Sequence, residues 1–358
     1  MTYFYGRLFA AHPEVRTMFP PAMAAQRRRL YHTLCRIAAG THDPGPRLDA
    51  YLAELGRVHR KFGVRQEHYE AFAEALDATF RRHPPDGARW TGLERTGSLR
   101  HAAEVMSGAA ADESAPAWWT AEVLRHERPA PGIAVLTARP SAPLPYLPGQ
   151  HVPVLTPRWP RVWRMYSMAN APSIANAPAP ARDESSGDGT ITFHVRAVPG
   201  GLVSTALLRT VPGDTLTLGA AEGAMTADTM SPRDALCLAG GTGLAPLKAI
   251  TEALLAGTRQ VTLCFGARSE AGLYDLPALR AMERDHPALE VRTATSDEDS
   301  RAAAHGTVPD LVTSVEWHDR DIYISGPDAM IAETVDRLRE LGVPPQRLRY
   351  DLPGEAPA

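Results

Sequence analysis

Residues able to do chemistry stand at several separated places in this 358-residue chain. One is His59, in the stretch Leu55-Gly56-Arg57-Val58-His59-Arg60-Lys61-Phe62-Gly63-Val64 that runs on to Glu67-His68-Tyr69. An imidazole can ligate a metal, but most of the 13 histidines must be ordinary surface or core residues, so His59 alone decides nothing. Another is Arg164-Met165-Tyr166-Ser167. An arginine fork suits a pyrophosphate, an aromatic ring can lie on a flat heterocycle, and a serine hydroxyl can bond a ring nitrogen. The bland reading is a surface arginine beside a strand tyrosine, and the surroundings weigh against it. Pro148-Gly149-Gln150-His151 lies upstream, and Gly200-Gly201-Leu202-Val203-Ser204 opens a helix downstream, where backbone N–H groups can meet phosphate. Farther on, Gly240-Gly241-Thr242-Gly243-Leu244-Ala245-Pro246 follows a strand and begins a helix. This is not GxGxxG, yet it gives a dinucleotide the same close backbone approach. Gly266-Ala267-Arg268 and Tyr323-Ile324-Ser325-Gly326-Pro327 close two further strands at their carboxyl ends, where open α/β sheets bind ligands.

The elements that must position these residues fall into three blocks. Residues 1–112 are expected to be helical: Leu30, Leu34, Ile37 and Ala38 make one apolar stripe, and Tyr69, Phe72, Leu76 and Phe80 another. Pro20-Pro21, Pro84-Pro85, Gly40 and Gly63 punctuate them. Residues 118–228 carry short β-rich runs, Ala121–Val123, Gly132–Ala138, His151–Leu155, Thr190–Val198 and Thr215–Leu218, at the spacing of a small antiparallel barrel. Between two of them, Ala171–Gly189 reads as a mobile surface loop. Residues 231–358 alternate strands (Ala235–Ala239, Gln260–Gly266, Leu289–Ala294, Asp321–Ser325) with helices (Leu244–Leu255, Ala329–Leu341), the pattern of a doubly wound parallel sheet. The chain is therefore multidomain: all-α, then antiparallel β-barrel, then α/β.

Composition bounds the partners. Hydrophobic content of 44% and charged content of 22% fit an ordinary globular protein, and no apolar run reaches a membrane span of roughly 18–20 residues. Cys35, Cys237 and Cys264 form no CxxC pair and no iron–sulfur spacing, which points to a reducing cytoplasm and removes a ferredoxin-type centre. The net charge of −3 divides into +5 over residues 1–110 and −8 over the rest. Arg27-Arg28-Arg29 carries part of the basic excess and is expected to be a solvated helix face, not a nucleic-acid patch.

In order and type, Arg164–Ser167, Pro148–Gln150, the Gly200 turn and the Gly240 turn resemble the ferredoxin reductase-like family. Phe4-Tyr5-Gly6-Arg7-Leu8-Phe9, His12-Pro13-Glu14-Val15-Arg16 and Met18-Phe19-Pro20, with the stretch around His59, resemble a flavohaemoglobin globin domain. The resemblance covers nearly the whole chain. It implies haem b with His59 as axial ligand and Tyr69 fixing that ring, Tyr5 and Gln26 as distal donors to dioxygen, Phe19 against the porphyrin, and Leu30 setting access. It implies FAD held by Gln150, His151, Arg164, Met165, Tyr166, Ser167, Gly200, Gly201, Val203 and Ser204. It implies a nicotinamide dinucleotide held by Gly241, Thr242, Gly243, Leu244, Ala245, Pro246, Arg268, Ser325, Gly326 and Pro327. NADH and NADPH both stay open, since Arg268 and Ser269 stand where a ribose-binding carboxylate is absent.

The sequence also departs from that family. Only four residues precede Tyr5, so the first helix is expected to be missing; Val58 replaces a lysine and Val105, beside Glu104, an acidic residue. Ser325 replaces a cysteine, and no aromatic matches the family's C-terminal one, Tyr350 lying three residues early. The resulting expectation is a nitric oxide dioxygenase acting on dioxygen, nitric oxide and NAD(P)H, with a monomer as the simplest assembly. The alternatives are a flavin-dependent NAD(P)H reductase serving a separate acceptor or oxygenase, and a haem-based sensor of dioxygen or nitric oxide.

Overall fold

The computed structural model describes residues 1–40, 46–83, 92–172, 189–297 and 303–351. Pro84-Pro85 and almost all of the loop expected at Ala171–Gly189 lie outside the described residues. Two compact units divide the chain, Met1–Trp118 and Trp119–Ala358.

The first unit is helical: α1 Thr2–Ala11, α2 Ala24–Gly40, α3 Pro46–His59, α4 Gln66–Arg82 and α5 Gly92–Asp112. The apolar stripes of α2 and α4 each run across two packed clusters. Leu30, Leu34 and Leu76 join Phe4, Tyr5 and Leu8 of α1 in one, while Ile37 and Tyr69 join Leu52, Ala102 and Met106 in the other. Helices α3 and α5 cross where Gly56 lies flat on the backbone of Met106, so closely that a Cβ on Gly56 would overlap the Met106 carbonyl. One turn later α3 ends at His59. A 3₁₀ turn, Arg60–Phe62, follows and closes on Gly63 in the left-handed region (φ 72), which any residue with a Cβ adopts at a cost.

The second unit begins with a six-stranded antiparallel sheet in the order β4-β3-β6-β1-β2-β5. Its elements are β1 Trp119–Ala130, β2 Ile133–Pro140, β3 His151–Leu155, β4 Arg164–Ser167, β5 Ile191–Arg196, the short helix α6 Leu202–Leu207 and β6 Thr215–Leu218. A bridge between Met168 and Phe193 joins the two edge strands and closes the barrel. Strand β1 is four times longer than the three residues its alternation suggested, because two bulges break the in–out pattern after Val123 and Glu127.

A parallel sheet follows in the order β10-β9-β8-β7-β11-β12. It comprises β7 Ala235–Gly240, α7 Leu244–Leu255, β8 Val261–Ala267, α8 Leu276–Asp285, β9 Leu289–Thr295, β10 Ala304–His305, α9 Val308–Leu311, β11 Asp321–Ser325, α10 Asp328–Glu340 and β12 Leu348–Tyr350. Every residue of β7 is buried, as a strand covered on both faces must be. The connection direction reverses between β7 and β11, so the ligand crevice of such a sheet opens at their carboxyl ends.

Barrel and parallel sheet are joined through buried polar contacts. His194 on β5 meets the Tyr274 hydroxyl at 2.7 Å, and Glu252 of α7 accepts the Ala171 N–H at 2.7 Å; behind them, within the α/β part, Lys248 pairs with Asp275 at 2.7 Å. Burial raises the Glu252 carboxyl above its usual range, against the opposing pull of the Ala171 N–H and Lys248. Burial, helped by the charge of Lys248, lowers His194 to about 3.

Two outcomes are expected. Gly56→Ala should destabilise the helical unit by about 1–3 kcal/mol through overpacking. Gly97→Ala, with open space around its Cβ, should not, and thermal melts of the two variants check the contrast. His194 stays neutral when folded but takes a proton below about 6.5 when unfolded. Its contribution is therefore intact above that pH and is lost as the pH falls toward 3. Acid melts of His194→Gln should show a shallower decline than those of the unsubstituted chain; equal slopes would refute the assignment.

Candidate functional site

In the helical unit the side chains gather as two sets. Tyr5 of α1 is buried and packs edge-on against Phe19, ring centroids 5.6 Å apart. The turn holding Phe19 is pinned by Arg16, whose guanidinium donates to the Phe19 and Pro20 carbonyls at 3.0 and 3.3 Å. Leu30 lies in the same apolar cluster, and Gln26, one helical turn before it, shares its face. Burial pushes the Tyr5 phenol up to about 12, with Gln26 and then Arg27 pulling it down. The hydroxyl is sealed from solvent and completes no hydrogen bond. Gln26 is thus close enough to be felt electrostatically but not in bonding geometry.

The other set is His59 and Tyr69, whose rings lie nearly parallel at 6.1 Å and 23°. Burial, then the charge of Lys61, lowers His59 to about 4, so the imidazole is neutral near pH 7. Its Nδ1 is sealed and unpartnered, as is the Tyr69 hydroxyl; Nε2 is not sealed in this way, and the residue as a whole keeps intermediate exposure. A neutral ring with one nitrogen turned away and the other open is the donor a metal requires. Among the described residues no carboxylate bonds it: Val105 packs on the cluster of Tyr69, while Glu104 is exposed. Buried polar atoms of Tyr5, Arg27, His59 and Tyr69 therefore have no partner among the described residues. These orphaned atoms and the apolar walls fit a large, flat prosthetic group ligated through imidazole. A groove of about 330 Å³ lined by Arg57, Glu104, Val105 and Glu113 holds none of the expected ligands.

In the barrel, the β3–β4 pairing sets His151 opposite Ser167 and Val154 opposite Arg164. Arg164 and Met165 are exposed, Tyr166 and Ser167 half-buried, and burial lifts the Tyr166 phenol to about 12. Gln150 is fixed on both ends, accepting from the Leu147 N–H at 2.9 Å and donating to the Gly223 carbonyl at 3.2 Å. Gly200 and Gly201 precede α6, whose N-terminus has no side-chain cap. Val203 and Ser204 are buried, and the Ser204 hydroxyl accepts the Val198 N–H at 3.2 Å. Their side chains therefore shape the turn and do not reach outward.

At the switch point, Gly241 adopts φ 54 and Thr242-Gly243 completes a 3₁₀ turn into α7. Gly243 touches the backbone of Ser325 and Gly326 so closely that no Cβ would fit between them. The structure thus brings the Gly240 turn and the Ser325-Gly326-Pro327 turn together, as their strand ends implied. Leu244, Ala245 and Pro246 are core residues of α7, while Arg268 stands exposed just past the end of β8.

Sequence reasoning missed two arginines. Arg27 belongs to the run expected to be solvated, yet its Nε is buried. Arg196, on the barrel, holds its Nη1 3.9 Å from where a Cβ on Gly241 would stand. Its signal in the sequence was present but faint: it follows Thr192 and His194 on the outward face of β5.

Comparison with known proteins agrees with this division. The globin family matches residues 2–96, and the oxidoreductase NAD-binding domain family matches residues 237–336. A flavohemoprotein of Rhizobium meliloti is 26% identical over 98% of this chain and 92% of its own length. The ferredoxin–NAD(P)(+) reductase component of the naphthalene 1,2-dioxygenase system of Pseudomonas putida is 31% identical, over 64% of this chain and 67% of its own. The flavohemoglobin of Malassezia yamatoensis, solved with FAD and heme, shares the fold over 98% of this chain and 92% of that one, with TM-score 0.75 at 17% identity. With a globin unit followed by a reductase unit, and flavohemoproteins matched over nearly all of it, the chain belongs to the flavohaemoprotein family, globin joined to a ferredoxin reductase-like module.

Proposed function

We propose that this chain is an NAD(P)H oxidoreductase that passes electrons through FAD to a globin haem and converts nitric oxide and dioxygen to nitrate. The observation that carries the reading is that one polypeptide matches both a globin and a nicotinamide-dinucleotide-binding domain, so donor and acceptor sites are covalently paired. Bound haem would supply an iron for dioxygen, and bound FAD the conversion of a hydride into single electrons.

His59 would hold the iron through Nε2, and desolvation keeps the imidazole neutral near pH 7. Tyr5, protonated up to about 12, donates its hydroxyl hydrogen into the distal space, with the Gln26 amide as second donor. Phe19 and Leu30 exclude water around them. Tyr69 orients the His59 ring by stacking. On the reductase side the Arg164 guanidinium and the N–H groups after Gly200-Gly201 would take the flavin pyrophosphate, while Tyr166, Ser167, Gln150 and His151 would hold the flavin ring. Gly241–Gly243 at the N-terminus of α7 and the Ser325-Gly326-Pro327 turn would hold the dinucleotide, with Arg268 toward its adenosine end. We assign the flavin site to residues 118–228 and the dinucleotide site to residues 231–358. The unpaired thiols of Cys35, Cys237 and Cys264 suit a cytoplasmic setting. No helix among the described residues is long and apolar enough to cross a membrane.

A second reading is favoured by the 31% identity to a dioxygenase-system reductase component: flavin-dependent reduction of a separate acceptor. Purified protein without Soret absorbance would select it. On the main reading, anaerobic NADH should bleach flavin and reduce haem in the same sample. His59→Ala should abolish the Soret band with flavin content intact, and a normal band in that variant would sink the ligand assignment. Tyr5→Phe should keep the band but weaken dioxygen affinity about tenfold, the worth of one buried hydrogen bond, in equilibrium titration.

A further inference from the structure

Of Arg27, Arg28 and Arg29, the last two are exposed and the first turns inward. Arg27 stands three and seven residues before Leu30 and Leu34, so it opens the buried stripe of α2 and is the one cation on it. Its Nε is sealed from solvent without a hydrogen-bond partner, and it forms no ion pair among the described residues. Its charge is felt at the Tyr5 hydroxyl, which places the guanidinium on the Tyr5–Gln26 side of the unit. A half-buried, unpaired cation is unfavourable, and a methionine would complete the stripe without that penalty. The balance is restored by an anion that the described residues do not supply, and a planar guanidinium fork is the side chain best shaped to hold one.

We propose that Arg27 is an anion-holding residue of the pocket lined by Tyr5 and Gln26. The assignment rests on the haem reading above and extends it. Two sources of negative charge would satisfy it, the carboxylate side chains of the porphyrin itself and a small free anion in the distal space. Both present the same chemistry to the guanidinium.

Arg27→Met in the full-length, haem-loaded protein separates them, since methionine keeps the apolar stripe and removes only the charge and the fork. Two measurements are read: the rate of haem transfer to excess apomyoglobin, and the azide dissociation constant of the ferric protein. An effect of about tenfold is expected, as for a charged group that loses its partner. Faster haem loss with unchanged azide binding identifies the porphyrin carboxylate. Weaker azide binding with unchanged haem loss identifies a free anion. Arg27→Gln repeats both readings should the methionine variant lose its far-ultraviolet helical signal. If both measurements equal those of the unsubstituted chain, the proposal is overturned. Absence of a Soret band in the unsubstituted chain would instead overturn the haem reading beneath it.

Discussion

Burying an imidazole penalises its protonated form more than its neutral form, and that difference governs the helical unit. His59 is lowered to about 4 by desolvation and the neighbouring charge of Lys61. Near pH 7 it therefore presents a lone pair and not a cation. The desolvation is produced by packing. Gly56 lets α3 press on the backbone of α5, one turn before His59, and Leu52, Ala102 and Met106 fill the cluster alongside. Remove the close approach and water reaches the ring, and with water comes the proton. The neutrality of the imidazole is thus tied to a glycine three residues away. What stands behind the ring is apolar as well, because Val105 rather than a carboxylate faces Tyr69. The shape of the pocket fixes the ring, where a charged hydrogen bond could have done so.

The reductase unit meets a different constraint, backbone approach. A dinucleotide phosphate needs N–H groups, not side chains, and these are available only where Cβ atoms are missing. Gly243 touches Ser325 and Gly326, so the turns after β7 and β11 are held as one surface. Side chains around it are committed elsewhere: Leu244, Ala245 and Pro246 to the core of α7, and the Ser204 hydroxyl to the Val198 N–H. Charge then has to come from residues that lean over the turns, as Arg196 does from β5. Its strand is held there by the His194–Tyr274 hydrogen bond. Such a contact is strong because both partners are desolvated, and it makes barrel and parallel sheet one unit.

Periodicity carried most of the fold into view. The stripes Leu30-Leu34-Ile37 and Tyr69-Leu76 mark the inward faces of α2 and α4, and alternation with buried runs marks β7, β8, β9 and β11. Helix α8 escaped because only Leu279 of its ten residues is buried, so its pattern is mostly that of a solvated face. Strand β12 is three residues long and owes its existence to pairing with β11, which no local pattern encodes. The glycine turns were legible for the opposite reason: a missing Cβ is visible in the sequence, and its placement after a strand says what it is for.

The site was legible where a residue's type dictates its use and illegible where orientation does. His59, Tyr5 and Gln26 could be named through the resemblance of their surroundings to a globin domain, not from type and spacing alone. Arg27 could not, because three consecutive arginines look alike as letters and helical geometry assigns them to different faces. Arginine's long apolar stem lets it sit on a buried stripe while its head seeks a polar partner, so the usual rule that charge marks the solvent side fails for it. The stripe itself held the answer: counting back three from Leu30 lands on Arg27, not on Arg28 or Arg29. A run of like charge at a helix start is better read one residue at a time against the apolar face that follows than as a block. Read that way, it separates the cation that must find a partner from those that water already satisfies.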